Sequence, residues 1–211
     1  MKQDAKSTLS CRKTNGKGLR VAIVHTKWNA EVVNSLVSAA KSELFRSGVS
    51  ESDLVIADVS GAYELPYAAS RLIASQKFDA VICVGTLIKG ETMHFEYICE
   101  AVSQGIMRVQ LDTGVPVIFG VLAVLSEGQA KDRAGLSGKG HNHGTEWAQT
   151  AVEMARFREA TLQGGCPMRM HESLPYNSLQ DCPFFSISTW LHIATLGVLG
   201  FVAASVVKKL A

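Results

Sequence analysis

The chain has 211 residues, of which 47% are hydrophobic and 19% charged, with 21 Lys and Arg against 19 Asp and Glu for a formal charge of +2. That apolar share fills a real core and excludes a wholly disordered chain, while the near-neutral balance argues against a dedicated nucleic-acid binder, which carries a strongly basic stripe. The length fits one domain with a sizeable surplus, at roughly 100 to 200 residues per domain.

Residues 1–18 are rich in Lys and polar groups, lack the apolar core of a secretory signal and read as a flexible arm. Leu19 to His25 then reads as a buried strand, followed by a helix from about Asn29 to Arg46 with Val32, Val33, Leu36, Val37, Ala40 and Leu44 on one stripe. Asp53 to Val59 is the second predicted strand. A helix over Ala62 to Ser75 tolerates Pro66 in its first turn. Phe78 to Gly85 is the third strand, the loop TLIKGE leads to a helix from about Thr92 to Gln104, and Val115 to Leu122 is the fourth strand. Two more helices are predicted, Glu127 to Ala134 and Thr145 to Glu159, separated by the glycine-rich GLSGKGHNHG.

Each predicted strand is a continuous apolar run, as in a parallel sheet covered on both faces. Right-handed crossovers put the C-terminal ends of all strands on one edge, where open α/β sheets bind ligands. The segments leaving that edge hold the candidate residues. Trp28 follows the first strand and can stack on a flat heterocycle or pack on its own helix. Glu64 follows the second, where a carboxylate either caps the helix or meets a polar ligand edge. GTLIKGETMH offers backbone N–H groups, Lys89 and Thr92 to an anion, and His94 either to proton transfer or as a hydrogen-bonded structural histidine. Arg133 either presents a fork of donors to phosphate or is a solvated surface side chain. His141 and His143 are close enough to suggest a metal, but no Cys or carboxylate in the sequence pattern completes a site, so no metal is expected.

In this order and spacing, Trp28, GAYE, GTLIKGETMHFEY, GVPVIFG and RAG followed by HNHG closely resemble the lumazine synthases, and the HNHG form resembles the fungal branch of that family. The resemblance covers about Leu19 to Phe157. It implies a three-layer α/β/α sandwich with a four-stranded parallel, flavodoxin-like sheet. The implied activity is a transfer reaction of riboflavin biosynthesis, in which 5-amino-6-(D-ribitylamino)uracil condenses with 3,4-dihydroxy-2-butanone 4-phosphate. The products are 6,7-dimethyl-8-ribityllumazine, phosphate and water, formed without a metal or organic cofactor. A non-catalytic lumazine or riboflavin carrier on the same scaffold is the competing expectation.

Carried over position by position, the resemblance makes Trp28 the aromatic that stacks on the pyrimidine. Ala62, Tyr63 and Glu64 become ribityl contacts, and Thr86, Leu87 and Ile88 further pyrimidine contacts. Glu91 and Thr92 fall in the phosphate-side loop, His94 is the proton-transfer residue, and Arg133 binds phosphate. Phe119 is implied to reach substrate from an adjoining subunit, in a homopentamer whose active sites lie between neighbours. His143 stands where many bacterial members carry a Lys. Five cysteines, odd in number and without a C-x-x-C pair, suit a reduced, cytoplasmic setting.

Beyond the resemblance, 160–183 reads as a linker and 184–207 as an extra hydrophobic helix, with no Asp, Glu, Lys or Arg between Asp181 and Lys208. That length meets the requirement of about 20 apolar residues for a membrane span. Three expectations compete for it: a membrane tail anchor, a surface amphipathic helix, and a non-native end.

Overall fold

The computed structural model describes residues 15–164 apart from Lys139. Two compact units divide the chain, Met1–Glu159 and Ala160–Ala211, and the first contains the whole sheet. Its elements follow the alternation in the sequence: β1 (Val21–Thr26), α1 (Ala30–Arg46), β2 (Leu54–Val59), α2 (Leu65–Ser75), β3 (Ala80–Ile88), α3 (His94–Thr113), β4 (Val117–Val124), α4 (Glu127–Arg133) and α5 (His143–Leu162). The four strands are all parallel, in the order β2-β1-β3-β4. From β1 the chain turns outward to β2, and from β3 outward in the opposite direction to β4. The crevice between the ends of β1 and β3 is therefore the topological switch point.

Alternate residues of a strand face opposite sides of the sheet, and each side has its own core. Val21 and Ile23 of β1 and Ile82 and Val84 of β3 pack with Leu36 and Leu44 of α1 and with Ala148 and Val152 of α5. Ala22, Val24, Val81 and Cys83 pack on the other side with Leu65 and Ala69 of α2 and Val102 and Ile106 of α3. Burying each large aliphatic side chain stabilises the fold by about 1.5–3 kcal/mol, so the central strands, buried on both faces, anchor the domain. At the edges Ile56 of β2 and Phe119 of β4 stay exposed.

Several boundaries differ from the sequence expectation. β3 continues to Ile88, so Thr86, Leu87 and Ile88 belong to the strand end and not to a loop; β4 pairs with it as far as Ile88↔Val124. α3 starts at His94, two residues late, and runs on to Thr113, where Gly114 ends it in the left-handed conformation at φ 64°. Its internal Gly105 does not break it, and is needed there: a Cβ would lie 2.8 Å from Pro66 Cγ of α2. Ala62–Glu64 form a short 3-10 turn, and α2 proper starts at Leu65. α5 starts at His143 and carries helix through Leu162, into the first residues of the expected linker.

Residues 15–17, expected to belong to the flexible arm, are held against the domain. Gly16 N donates to Ser47 O at 2.6 Å, and Arg156 donates from Nε to Asn15 O at 2.8 Å and from Nη2 to Lys17 O at 2.7 Å. A guanidinium fork on α5 thus holds the backbone of 15–17 in place. The rest of the arm, most of the expected linker and the hydrophobic segment 184–207 lie outside the described residues. Among the described residues no helix is long and apolar enough to cross a membrane.

Candidate active site

The rim of the sheet over β1 and β3 is tied together by backbone geometry. Asn29 adopts the left-handed conformation (φ 55°, ψ 47°) as it enters α1, a conformation Asn tolerates better than most residues. Its Nδ2 donates to Thr86 O at 3.0 Å, linking the loop after β1 to the end of β3. Lys27 N donates to Val59 O at 3.0 Å and joins the same loop to β2. Three strand ends are thus held in register by two hydrogen bonds.

On this frame Trp28 is 73% exposed, so the ring is not packed on its own helix. Its Cδ1 lies 3.8 Å from where a Cβ on Gly61 would be, which puts the indole beside the turn that opens Ala62–Glu64. Glu64 reaches back across that turn: its Oε2 accepts from Gly61 N at 2.9 Å. The capping role is therefore realised, and it fixes the backbone of Ala62, which is buried, and Tyr63, which is exposed. Thr86 is buried, and its Oγ1 has no hydrogen-bond partner among the described residues. An orphaned hydroxyl beside the switch point suits a polar ligand, because leaving it unpaired costs about 1–3 kcal/mol.

The next segment holds the proton-transfer candidate. His94 opens α3 and is exposed, and its N–H donates weakly to Thr92 Oγ1 at 3.4 Å. Glu91 and Thr92 are also exposed. Lys89 is engaged elsewhere: Nζ lies 2.5 Å from Glu96 Oε1, one turn into α3. That hydrogen bond holds the Glu96 carboxyl below its ordinary range. The Lys89 charge is thus matched locally.

Two expected residues do not join this cluster within one chain. Phe119 pairs with Cys83 in the middle of the β3–β4 ladder, three rungs before Thr86↔Leu122, and is 42% exposed on the edge strand. Arg133 ends α4, which packs against α1: Lys131 Nζ lies 3.5 Å from Glu31, and Ser35 Oγ donates to Ala134 O at 2.8 Å. Ala130 and Ala134 belong to the α1/α5 core, whereas Val102 and Ile106 of α3 belong to the other. Arg133 and His94 therefore stand on helices that cover opposite faces. The Arg133 guanidinium folds back on its own helix, donating from Nη1 to Gln129 O at 3.3 Å.

His143 begins α5 beside Arg133's loop. The intervening Asn142 is a structural clamp that sequence reasoning missed. Its Nδ2 donates to Ala134 O at 2.8 Å and to Ser35 O and Oγ at 3.1 Å, and its Oδ1 accepts from Gly144 N at 2.9 Å. Gly144 then fits where a Cβ would fall 2.1 Å from Leu36 O. The expectation that no carboxylate accompanies the two histidines is corrected here. Glu146 Oε1 lies 2.9 Å from His141 Nε2 and Oε2 lies 3.1 Å from His143 Nδ1. α5 begins at His143 and not at Thr145, which sets Glu146 one turn along from His143.

A family model for 6,7-dimethyl-8-ribityllumazine synthase matches residues 18–159. The chain belongs to this family. A 6,7-dimethyl-8-ribityllumazine synthase of Pyricularia oryzae is 44% identical over 186 aligned positions, covering 71% of this chain and 93% of that protein. One of Schizosaccharomyces pombe is 51% identical over 140 positions, covering 66% of this chain and 87% of that protein. The family match includes every candidate residue from Trp28 to His143 and stops where the second unit begins.

Proposed function

We propose that this chain is the transferase that condenses 5-amino-6-(D-ribitylamino)uracil with 3,4-dihydroxy-2-butanone 4-phosphate to give 6,7-dimethyl-8-ribityllumazine, phosphate and water. The observation that carries the reading is the unbroken family match across a rim in which Trp28, the Ala62–Glu64 turn and the unpaired Thr86 hydroxyl surround one switch point. Both named relatives are synthases, which favours turnover over the carrier reading.

In this reading the pyrimidine stacks on Trp28 and meets the β3 end at Thr86, Leu87 and Ile88, while the ribityl chain runs along Ala62, Tyr63 and Glu64. The amine attacks the ketone and an imine forms with loss of water, phosphate is eliminated, and the second amine closes the ring on the remaining carbonyl with loss of a second water. These steps need proton shuttling near neutral pH, which the exposed His94 imidazole supplies. Phosphate departure needs donors and positive charge, supplied by Arg133 and by the backbone at Glu91 and Thr92, with His143 at the margin. No organic cofactor is required, and much of the remaining acceleration comes from holding two substrates together.

The opposite-face placement of His94 and Arg133, and the exposed mid-ladder Phe119, support a site completed by a neighbouring copy in a homopentamer. Phe119 and Arg133 would then come from the adjoining subunit. Such a ring, of the fungal form and working in the cytoplasm, leaves 184–207 outside the catalytic unit.

Product formation by the purified chain, followed by lumazine absorbance, tests the activity; riboflavin or lumazine binding without turnover would establish the carrier instead. Co-expressing His94→Ala with Arg133→Ala tests the shared site. Random mixing of the two impaired variants restores about a quarter of the sites to wild-type composition if each is built from two chains. Mixed oligomers with no recovered activity would place both residues in one chain's site.

A further inference from the structure

We infer that His141, His143 and Glu146 form a binding site for a divalent late-transition cation of the zinc type. The inference does not depend on the catalytic reading. Three ligand atoms, one from each residue, all lie within 4.8 Å of one another. Two imidazole nitrogens and one carboxylate oxygen are the donor set such ions prefer, and hard cations such as magnesium, which favour oxygen, are selected against.

The geometry needs little change to close on an ion. Bonds of about 2.0–2.1 Å in a tetrahedron bring ligand atoms to about 3.4 Å apart, so the largest separation shrinks by no more than about 1.4 Å. His141 Nε2 and His143 Nδ1 already face the same carboxylate, at 2.9 and 3.1 Å from its two oxygens. The two rings lie 4.7 Å apart at 36°, and His143 also approaches Trp147 at 6.2 Å. His141 and Glu146 are exposed, so small side-chain rotations can make the adjustment without repacking a core.

The backbone carrying the two histidines is fixed independently of them. Asn142, between them, is anchored to Ser35 and Ala134, and Gly144 is seated against the Leu36 carbonyl. Ligands on a pre-fixed backbone lose less freedom on binding, which favours affinity. Three protein ligands leave the fourth position to water or to an anion oxygen, and the bound ion would tie the loop before Asn142 to the first turn of α5.

The test is equilibrium dialysis of the full chain against chelator-buffered zinc chloride, comparing wild type with His141→Ala and Glu146→Gln. One ion per chain is expected in wild type, with affinity weakened by about tenfold or more in each variant. Zinc is also expected to raise the melting temperature of wild type, and to raise that of His141→Ala by less at the same free concentration. Glu146→Gln keeps the side chain's shape while removing its charge and one acceptor oxygen, so it reports ligation even if the alanine variant folds poorly. No binding by wild type, or wild-type affinity in either variant, overturns the inference.

Discussion

The rim over β1 and β3 and the corner where α4 meets α5 are built by different means. At the rim each candidate follows its strand within a few residues, and the central strands β1 and β3 are fixed by burial on both faces. At the corner the positions depend on contacts between distant parts of the chain: Asn142 holds Ser35, 107 residues earlier in the sequence. The rim is therefore a local consequence of the strand pattern, whereas the corner exists only once α1 and α5 have packed.

That contrast predicts different symptoms when each region is broken. His94→Ala at the rim should give the largest effect, lowering kcat by about 100- to 10,000-fold while leaving a measurable rate and an unchanged unfolding midpoint. Unchanged turnover in the lumazine-absorbance assay would remove His94 from proton transfer. Arg133→Ala should lose about 1.5–3 kcal/mol of interaction with the phosphate-bearing substrate, read as a rise in its KM with the other substrate's KM little changed. An equal rise for both substrates would contradict a phosphate-specific role.

Asn142→Ala should behave as a fold mutation, costing about 1–3 kcal/mol in denaturant unfolding because Ala134 O, Ser35 O and Gly144 N lose a partner together. A wild-type midpoint would show that the corner is held by packing alone.

A smaller effect is expected at the rim's own ion pair. Lys89 lowers the Glu96 carboxyl below its ordinary range, so in the folded state it ionises more readily than in the unfolded one. The pair's contribution is full above the unfolded carboxyl value of about 4.3 and is lost as pH falls through the lower folded value. Comparing Glu96→Gln with wild type across pH 3 to 7 should show a difference that vanishes at the acid end. Smallest of all, Cys83 of β3 should not react: burial pushes its thiol up to about 12, so at pH 8 the thiolate is absent. Peptide mapping after iodoacetamide treatment of the native protein checks this, and labelled Cys83 would mean the central strands open.

Most of the rim was legible in the sequence because a fully buried parallel strand must be a continuous apolar run, and what leaves its C-terminal end must face the ligand edge. Trp28, Glu64 and His94 could be named from position alone. The boundary errors have physical causes. Apolar Leu87 and Ile88 extend a strand that the glycine at 85 suggested would end, and Gly105 marks close packing on Pro66 instead of a helix end. Asn29 and Asn142 were missed because their partners are strand and helix carbonyls far away in sequence, which no local pattern encodes. Glu146 was missed for want of two residues of helix.

The sequence by itself determined the alternation of strands and helices, the parallel sheet and the family, because periodicity and motif spacing are properties of neighbouring residues. Only the tertiary structure decided that Glu64 caps its own turn, that Lys89 is matched by Glu96, that His94 and Arg133 lie on helices covering opposite faces, and that two histidines share one carboxylate. The opposite faces follow from how the elements pack, which the whole core settles at once; the three short-range contacts follow from helix starts and side-chain rotamers, which motif spacing does not encode.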